Sequence, residues 1–230
     1  MENVLGKIKG TVVVSVQAMP SEPLYLEKCM VAMMKSVING GAGVLRVAGT
    51  RDIANAKKLF SLPIIGITKP DKIPSNFKEI VYITPTIKDV IDVINAGADI
   101  VAFDGTQRKR PNNEKLPDLI KYIHIKKKVA MADVSTIEEG LKAQESGADV
   151  LSTTLAGYTL ESASSPTDAP DFKLLEELVK QTNLPVILEG RIWEPWQVDK
   201  AFALGAHSVV IGSAITRPQL ITKRFVFRNK

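Results

Sequence analysis

The chain has one cysteine, Cys29, and two histidines, His124 and His207, among 230 residues. A single cysteine excludes an internal disulfide and fits a reducing, cytoplasmic setting. Two isolated histidines, one at a helix end and one at a strand start, read as structural. They give no basis for a zinc cluster or a histidine acid–base pair, so no metal is expected. Long apolar runs are also missing. None approaches the roughly 18–20 residues that cross a bilayer, and MENVLGKIKG at the N-terminus lacks the apolar stretch of a secretory signal. Neither a Walker loop nor a Rossmann glycine fingerprint occurs, which leaves nucleotide cofactors unsupported. Aromatics make up only 6% of the chain, and the basic residues of QRKRPNNEKLPDLIKYIHIKKK (107–128) are not interleaved with them. That argues against nucleic acid as a partner. The segment reads as a solvated loop and helix face, the alternative being attraction for anions such as sugar phosphates.

What remains is an ordinary globular composition, 45% hydrophobic and 24% charged with a formal charge of +5, organised as a repeat. GAG at 41–43, GAD at 97–99, GAD at 147–149 and GAH at 205–207 each follow a segment whose apolar residues recur every three or four positions. That spacing is the face of a helix, and the glycine suits a left-handed C-cap. Each repeat precedes an apolar run. Eight such runs can be read: TVVVSVQ, GVLRVAG, PIIGITK, DIVAFDG, KVAMADV, DVLSTTL, PVILEGR and SVVIGSA. They are mostly continuous rather than alternating, as expected of parallel strands covered on both sides. Eight strands alternating with helices predict a single-domain (β/α)8 TIM barrel over residues 1–230. Residues 70–84 break the alternation and read as a loop with an extra short strand.

In such a barrel the chemistry sits at the C-terminal strand ends. Those ends carry Gln17, Arg46, Lys69, Asp104, Asp133, Thr153 and Thr154, Glu189 and Arg191, then Gly212 and Ser213. Polar groups converging on one mouth suggest a site, because burial without partners is costly. The opposite charges of Lys69 and Glu189, each ending an apolar strand, mark the catalytic candidates. Asp104 and Asp133 are equally readable as loop caps. After the seventh and eighth strands, EGR and GSAITRP offer glycine N–H groups for an anion, with Arg191 and Arg217 beside them. A phosphorylated small molecule is the ligand this implies. Cys29 reads as core, and Trp193 and Trp196 as packing.

Taken together, SVQA, IIGITK, YITPT, RKRP, MADVST, STTLAGYT, LEGRI and AITRP…ITKRF resemble the N-acylglucosamine-6-phosphate 2-epimerases, also called N-acetylmannosamine-6-phosphate 2-epimerases, from about residue 11 to 225. The resemblance implies interconversion of N-acetylmannosamine 6-phosphate and N-acetylglucosamine 6-phosphate in sialic acid catabolism, without a cofactor. It assigns catalysis to Lys69 and Glu189. It assigns substrate binding to Gln17, Arg46 and Asp133, and phosphate binding to Gly190, Arg191 and the segment Gly212, Ser213 to Arg217. The chain departs from the family pattern at Val16, at Gly105, which is expected to loosen the fourth loop, and at Ser213, which adds a hydroxyl but restricts the backbone.

Two other readings compete. A Schiff-base aldolase would share the lysine and the phosphate loops, and a sugar-phosphate sensor or RNA-binding protein would use the 107–128 segment. The final RPQLITKRFVFRNK, with Phe225 and Phe227, is expected to cover the barrel bottom or to pack on a second subunit. The resemblance favours the latter and a homodimer.

Overall fold

The computed structural model describes residues 4–226. In all four Gly-Ala repeats the glycine takes a positive φ: 99° at Gly41, 105° at Gly97, 97° at Gly147 and 93° at Gly205. The next alanine N–H reaches back five residues, Ala98 to the Val93 carbonyl and Ala148 to the Ala143 carbonyl, closing the helix end as a Schellman turn. The aspartates that follow take up an N–H at the start of the neighbouring strand. Asp99 accepts from Ile64 at 3.1 Å and Asp149 from Ala130 at 2.7 Å. His124 adds a ring nitrogen to Asp149 at 2.9 Å, a structural use. The repeat is thus a device that ends a helix and seats the next strand in one turn.

The strands are β1 (Val12–Val16), β2 (Val44–Ala48), β3 (Ile64–Ile67), β4 (Ile100–Asp104), β5 (Val129–Asp133), β6 (Val150–Ser152), β7 (Val186–Glu189) and β8 (Ser208–Ile211). They pair in parallel in chain order, and β1 closes on β8 through Val12 and Val209, forming the expected barrel. Around it lie α2 (Glu27–Asn39), α3 (Thr50–Leu59), α4 (Ile87–Asn95), α5 (Leu116–Ile125), α6 (Ile137–Glu145), α7 (Phe172–Gln181) and α8 (Pro195–Ala203). Thr86 with Asp89 and Thr136 with Glu139 form capping boxes that start α4 and α6. Cys29 lies half-buried on α2 rather than in the core. Among the described residues no helix is long and apolar enough to cross a membrane.

Strand side chains alternate between two cores. Val14, Leu45, Val101, Phe103, Leu151 and Leu188 face the helices. Val13, Val44, Ile65, Ile100, Met131, Ile187 and Val210 fill the barrel, closed below by Ile8 of the first helix, α1 (Val4–Ile8). His207 fixes that plug, its ring nitrogen lying 2.8 Å from the Leu5 carbonyl. The bottom is therefore covered by the N-terminal helix, not by the tail. The tail helix, α10 (Pro218–Val226), packs on the short α9 (Ser213–Thr216) and ties back through Gln219 to Glu22 and Arg224 to Glu194. Phe225 stays 76% exposed, while Phe227 lies outside the described residues.

Residues 70–84 contain no strand. A closed barrel has no free edge for another strand to join. Val81 and Ile83 are instead buried, Ile83 against the barrel filling. Thr84, at φ 42°, pins the loop by exchanging hydrogen bonds with Thr68.

Candidate active site

Because strand side chains alternate, the residue two beyond an inward apolar side chain also points inward, but above the core. Val44 is followed in this way by Arg46, Ile67 by Lys69, Met131 by Asp133 and Ile187 by Glu189, while Val13 is followed by Ser15 and then Gln17. The apolar filling of the barrel therefore ends in a ring of polar groups.

At its centre lies Arg46, 1% exposed and completely inside the barrel. Its Nη2 meets Asp133 Oδ2 at 2.5 Å and its Nη1 meets Asp133 Oδ1 at 3.2 Å, a two-pronged pair with a carboxylate that is itself 0% exposed. Nη1 also lies 3.2 Å from Glu189 Oε2. On the other side Thr154 Oγ1 lies 2.8 Å from Asp133 Oδ1 and 3.0 Å from Glu189 Oε2. Thr153 fixes the backbone of Glu189 by accepting its N–H and donating to its carbonyl. Lys69 Nζ donates to Gln17 Oε1 at 2.9 Å, and Gln17 Nε2 donates to Ser15 Oγ at 2.7 Å.

Burial and Arg46 set the electrostatics. Desolvation, helped by the Arg46 charge and opposed by Glu189 and Asp133, brings the Lys69 amine down from 10.5 to about 8. Desolvation pushes the Glu189 carboxyl up, against the pull of Arg46. Lysine and glutamate thus each shift toward the uncharged form. Tyr82 on the cavity wall is pushed up to about 12 by burial and by Asp104.

A cavity of about 670 Å³ opens above this floor. Gln17, Lys69, Glu189, Gly190, Arg191, Gly212, Ser213 and Arg217, all expected from the sequence, line it together with Thr154. Arg46 and Asp133 are not on the wall; they lie beneath it, among the buried residues. Gly190 has φ 113° and Arg191 φ 58°, so the β7 loop turns through a left-handed pair. Arg191 donates to the Ala156 carbonyl at 2.8 Å and lies 4.6 Å over the Tyr158 ring. Arg217 pairs with Glu22 at 3.1 Å. Gly212 precedes α9, whose Thr216 hydroxyl donates to the Ser15 carbonyl.

Asp104, the other ambiguous carboxylate, belongs to loop structure. It accepts from the Thr106 N–H and hydroxyl and from Arg108 Nη2 at 2.6 Å. Gly105 does not loosen this loop. Its N–H donates to the Asp133 carbonyl at 2.7 Å, and an added Cβ would come within 2.8 Å of the Ala132 Cβ. Trp193 lines the cavity under the Arg224 guanidinium, and Trp196 tilts against Phe172.

Pairs of titratable groups driven toward opposite protonation states at a barrel mouth are how enzymes move protons. The class that this fold and site define is the (β/α)8 acid–base enzyme. Comparison with known proteins narrows it. A family model described as "Putative N-acetylmannosamine-6-phosphate epimerase" matches residues 30–230, and the chain belongs to that family. A protein of Clostridioides difficile (strain 630), called "Putative N-acetylmannosamine-6-phosphate 2-epimerase", is 47% identical over 222 residues, covering 96% of this chain and 97% of that protein. One of the same designation from Clostridium perfringens (strain 13 / Type A) is 48% identical over 221 residues, with the same coverage. The solved structure of the N-acetylmannosamine-6-phosphate 2-epimerase from Clostridium perfringens superposes with a TM-score of 0.90 at 47% identity, over 96% of this chain and 94% of that one. A 3-hexulose-6-phosphate synthase from Salmonella typhimurium shares the fold alone, with a TM-score of 0.64 at 15% identity over 90% of each chain.

The geometry makes a stability prediction. Asp133→Ala leaves the Arg46 charge short of its main partner and should cost about 3 kcal/mol or more in urea unfolding. Gln17→Ala at the half-buried rim should cost less than about 1 kcal/mol.

Proposed function

We propose that the protein is an epimerase that interconverts N-acetylmannosamine 6-phosphate and N-acetylglucosamine 6-phosphate, acting in the cytoplasm in the catabolism of sialic acid and other amino sugars. The observation that carries this reading is the Lys69 amine, lowered to about 8 and held at the wall of the cavity that Glu189 also lines.

The two sugars differ only in configuration at C2. Once the ring opens, C1 is an aldehyde and the C2 proton is α to a carbonyl, so a base can remove it to give an enolate. An ordinary lysine, at about 10.4, is almost wholly protonated at neutral pH; the lowered Lys69 supplies free amine. Glu189, held toward protonation, acts at the C1 and ring oxygens, donating in ring opening and toward the enolate. Inversion follows when the proton returns on the opposite face. Gln17 orients Lys69 through its carbonyl oxygen. Arg46 and Asp133 act from beneath the binding surface, fixing Glu189 and placing a buried positive charge below the developing enolate.

The phosphate is held by Gly190 with Arg191 and by Gly212 and Ser213 with Arg217, whose side chains already face the cavity. This grip lies away from C2, and its binding energy serves to position the reacting carbon. The exposed Phe225 and Val226 on α10 support a homodimer packed through the tail. Light scattering at micromolar concentration should then give twice the chain mass, and a monomer would contradict it.

The activity is tested by proton NMR of N-acetylmannosamine 6-phosphate with the protein in deuterium oxide. N-Acetylglucosamine 6-phosphate carrying deuterium at C2 should appear. Lys69→Ala should slow its formation by about 100-fold or more, the scale of losing an acid–base group. No conversion, or conversion indifferent to Lys69→Ala, overturns the reading. An adduct trapped on Lys69 by borohydride would support the aldolase instead.

A further inference from the structure

Thr154 stands between the two acids of the site. Its hydroxyl oxygen lies 2.8 Å from Asp133 Oδ1, 3.0 Å from Glu189 Oε2 and 2.8 Å from Ser152 Oγ. Arg46 Nη1 lies 3.2 Å from the same two carboxyl oxygens. A guanidinium nitrogen and a hydroxyl thus bridge the same pair of acids from two sides, with one difference. Nη1 hydrogen-bonds Asp133 Oδ1 and Met131 Sδ and holds Glu189 Oε2 as an ion pair, whereas the hydroxyl meets both carboxyl oxygens with a single proton.

Counting protons shows the consequence. With Glu189 protonated, every position is filled: Glu189 and Ser152 donate to the Thr154 oxygen, and Thr154 donates to Asp133. With Glu189 ionised, its Oε2 becomes an acceptor. Thr154 then serves only one of two carboxylates at a time, while Asp133 keeps both of its Arg46 bonds. The hydroxyl is therefore free to turn toward Glu189. We propose that Thr154 is a positioning residue whose single hydroxyl proton points to Asp133 while Glu189 is protonated and rotates to Glu189 once that proton has gone.

In the reaction, the Glu189 Oε2–H turns from the Thr154 oxygen to a substrate oxygen, breaking that hydrogen bond, and on giving up its proton Glu189 becomes a carboxylate. Rotation of the Thr154 O–H supplies that carboxylate with a charge-assisted donor, and the reverse rotation accompanies reprotonation. Thr154 gains and loses no proton. The charged and titratable groups facing Glu189 are Arg46 from β2, Lys69 beyond β3 and Asp133 from β5; Asp133 gives up the Thr154 bond and keeps its two Arg46 bonds, while Arg46 and Lys69 keep their partners. The use made of the released proton rests on the epimerase reading above; the rotation itself does not.

Because a charge-assisted bond outweighs a neutral one, removing the hydroxyl disfavours the ionised state more than the protonated state. The Glu189 carboxyl should therefore titrate higher in Thr154→Val, which keeps the side-chain shape. The experiment is 13C NMR titration of the protein labelled at glutamate side-chain carboxyls, with the Glu189 resonance assigned by its loss in Glu189→Gln. Thr154→Val should raise that midpoint by about one pH unit, and Thr154→Ser, which keeps the hydroxyl, should restore it. With the amino sugar phosphate as substrate, Thr154→Val should lower kcat about tenfold or more and leave KM within about twofold.

An unchanged midpoint overturns the proposal, whether or not the variant turns over. A midpoint that rises equally in Thr154→Ser also overturns it, since a packing disturbance would do the same. A raised midpoint in Thr154→Val, alongside an unsubstituted protein that fails to epimerise, would support the rotation and count against the epimerase reading, so the two fail separately.

Discussion

A full positive charge, that of Arg46, sits inside the barrel with almost no access to water, and the rest of the site is a response to it. An isolated buried guanidinium is far too costly to persist, so carboxylates must come to it. Asp133 does so with both oxygens, and Glu189 with one. That arrangement leaves Glu189 balanced between two influences. Desolvation favours its protonated form and Arg46 its ionised form, which is the condition of an acid able to give and take a proton. The same charge repels a protonated Lys69 and so helps to lower the amine. One buried cation thus conditions both catalytic candidates without needing to touch the substrate.

The barrel supplies the geometry this needs. Parallel strands all end at the same face, and the inner apolar side chains stop one layer below the polar ring. Arg46 and Asp133 stand on β2 and β5, three strands apart around the wall, and meet across its interior. The plug of α1 below and the turns of 70–84 above close both ends of the filling. Water is excluded from the floor while the substrate side stays open.

Much of this was legible in the chain. The four Gly-Ala turns and the eight apolar runs announce the alternation directly, because a left-handed C-cap and a doubly covered strand each demand particular residues. The polar strand ends could be named one by one for the same reason. What pairs with what could not. Asp104 and Asp133 look alike in sequence, each closing an apolar strand. One is claimed by Thr106 and Arg108 within its own loop, the other by an arginine 87 positions away. The segment at 80–83 carries strand-like residues but meets a closed barrel. The five-residue α1 is too short to show a period. Thr154 is one of many threonines, and only the convergence of β5, β6 and β7 places it between two acids.

The central claim is that burial and Arg46 keep the Lys69 amine available as a base. It is tested most directly by titrating that amine itself. The lysine side chains are labelled with 15N, and the Nζ resonance of Lys69 is assigned by its loss in Lys69→Arg and followed with pH. The account predicts a midpoint of about 8. A midpoint at the ordinary lysine value of 10.5 would contradict it.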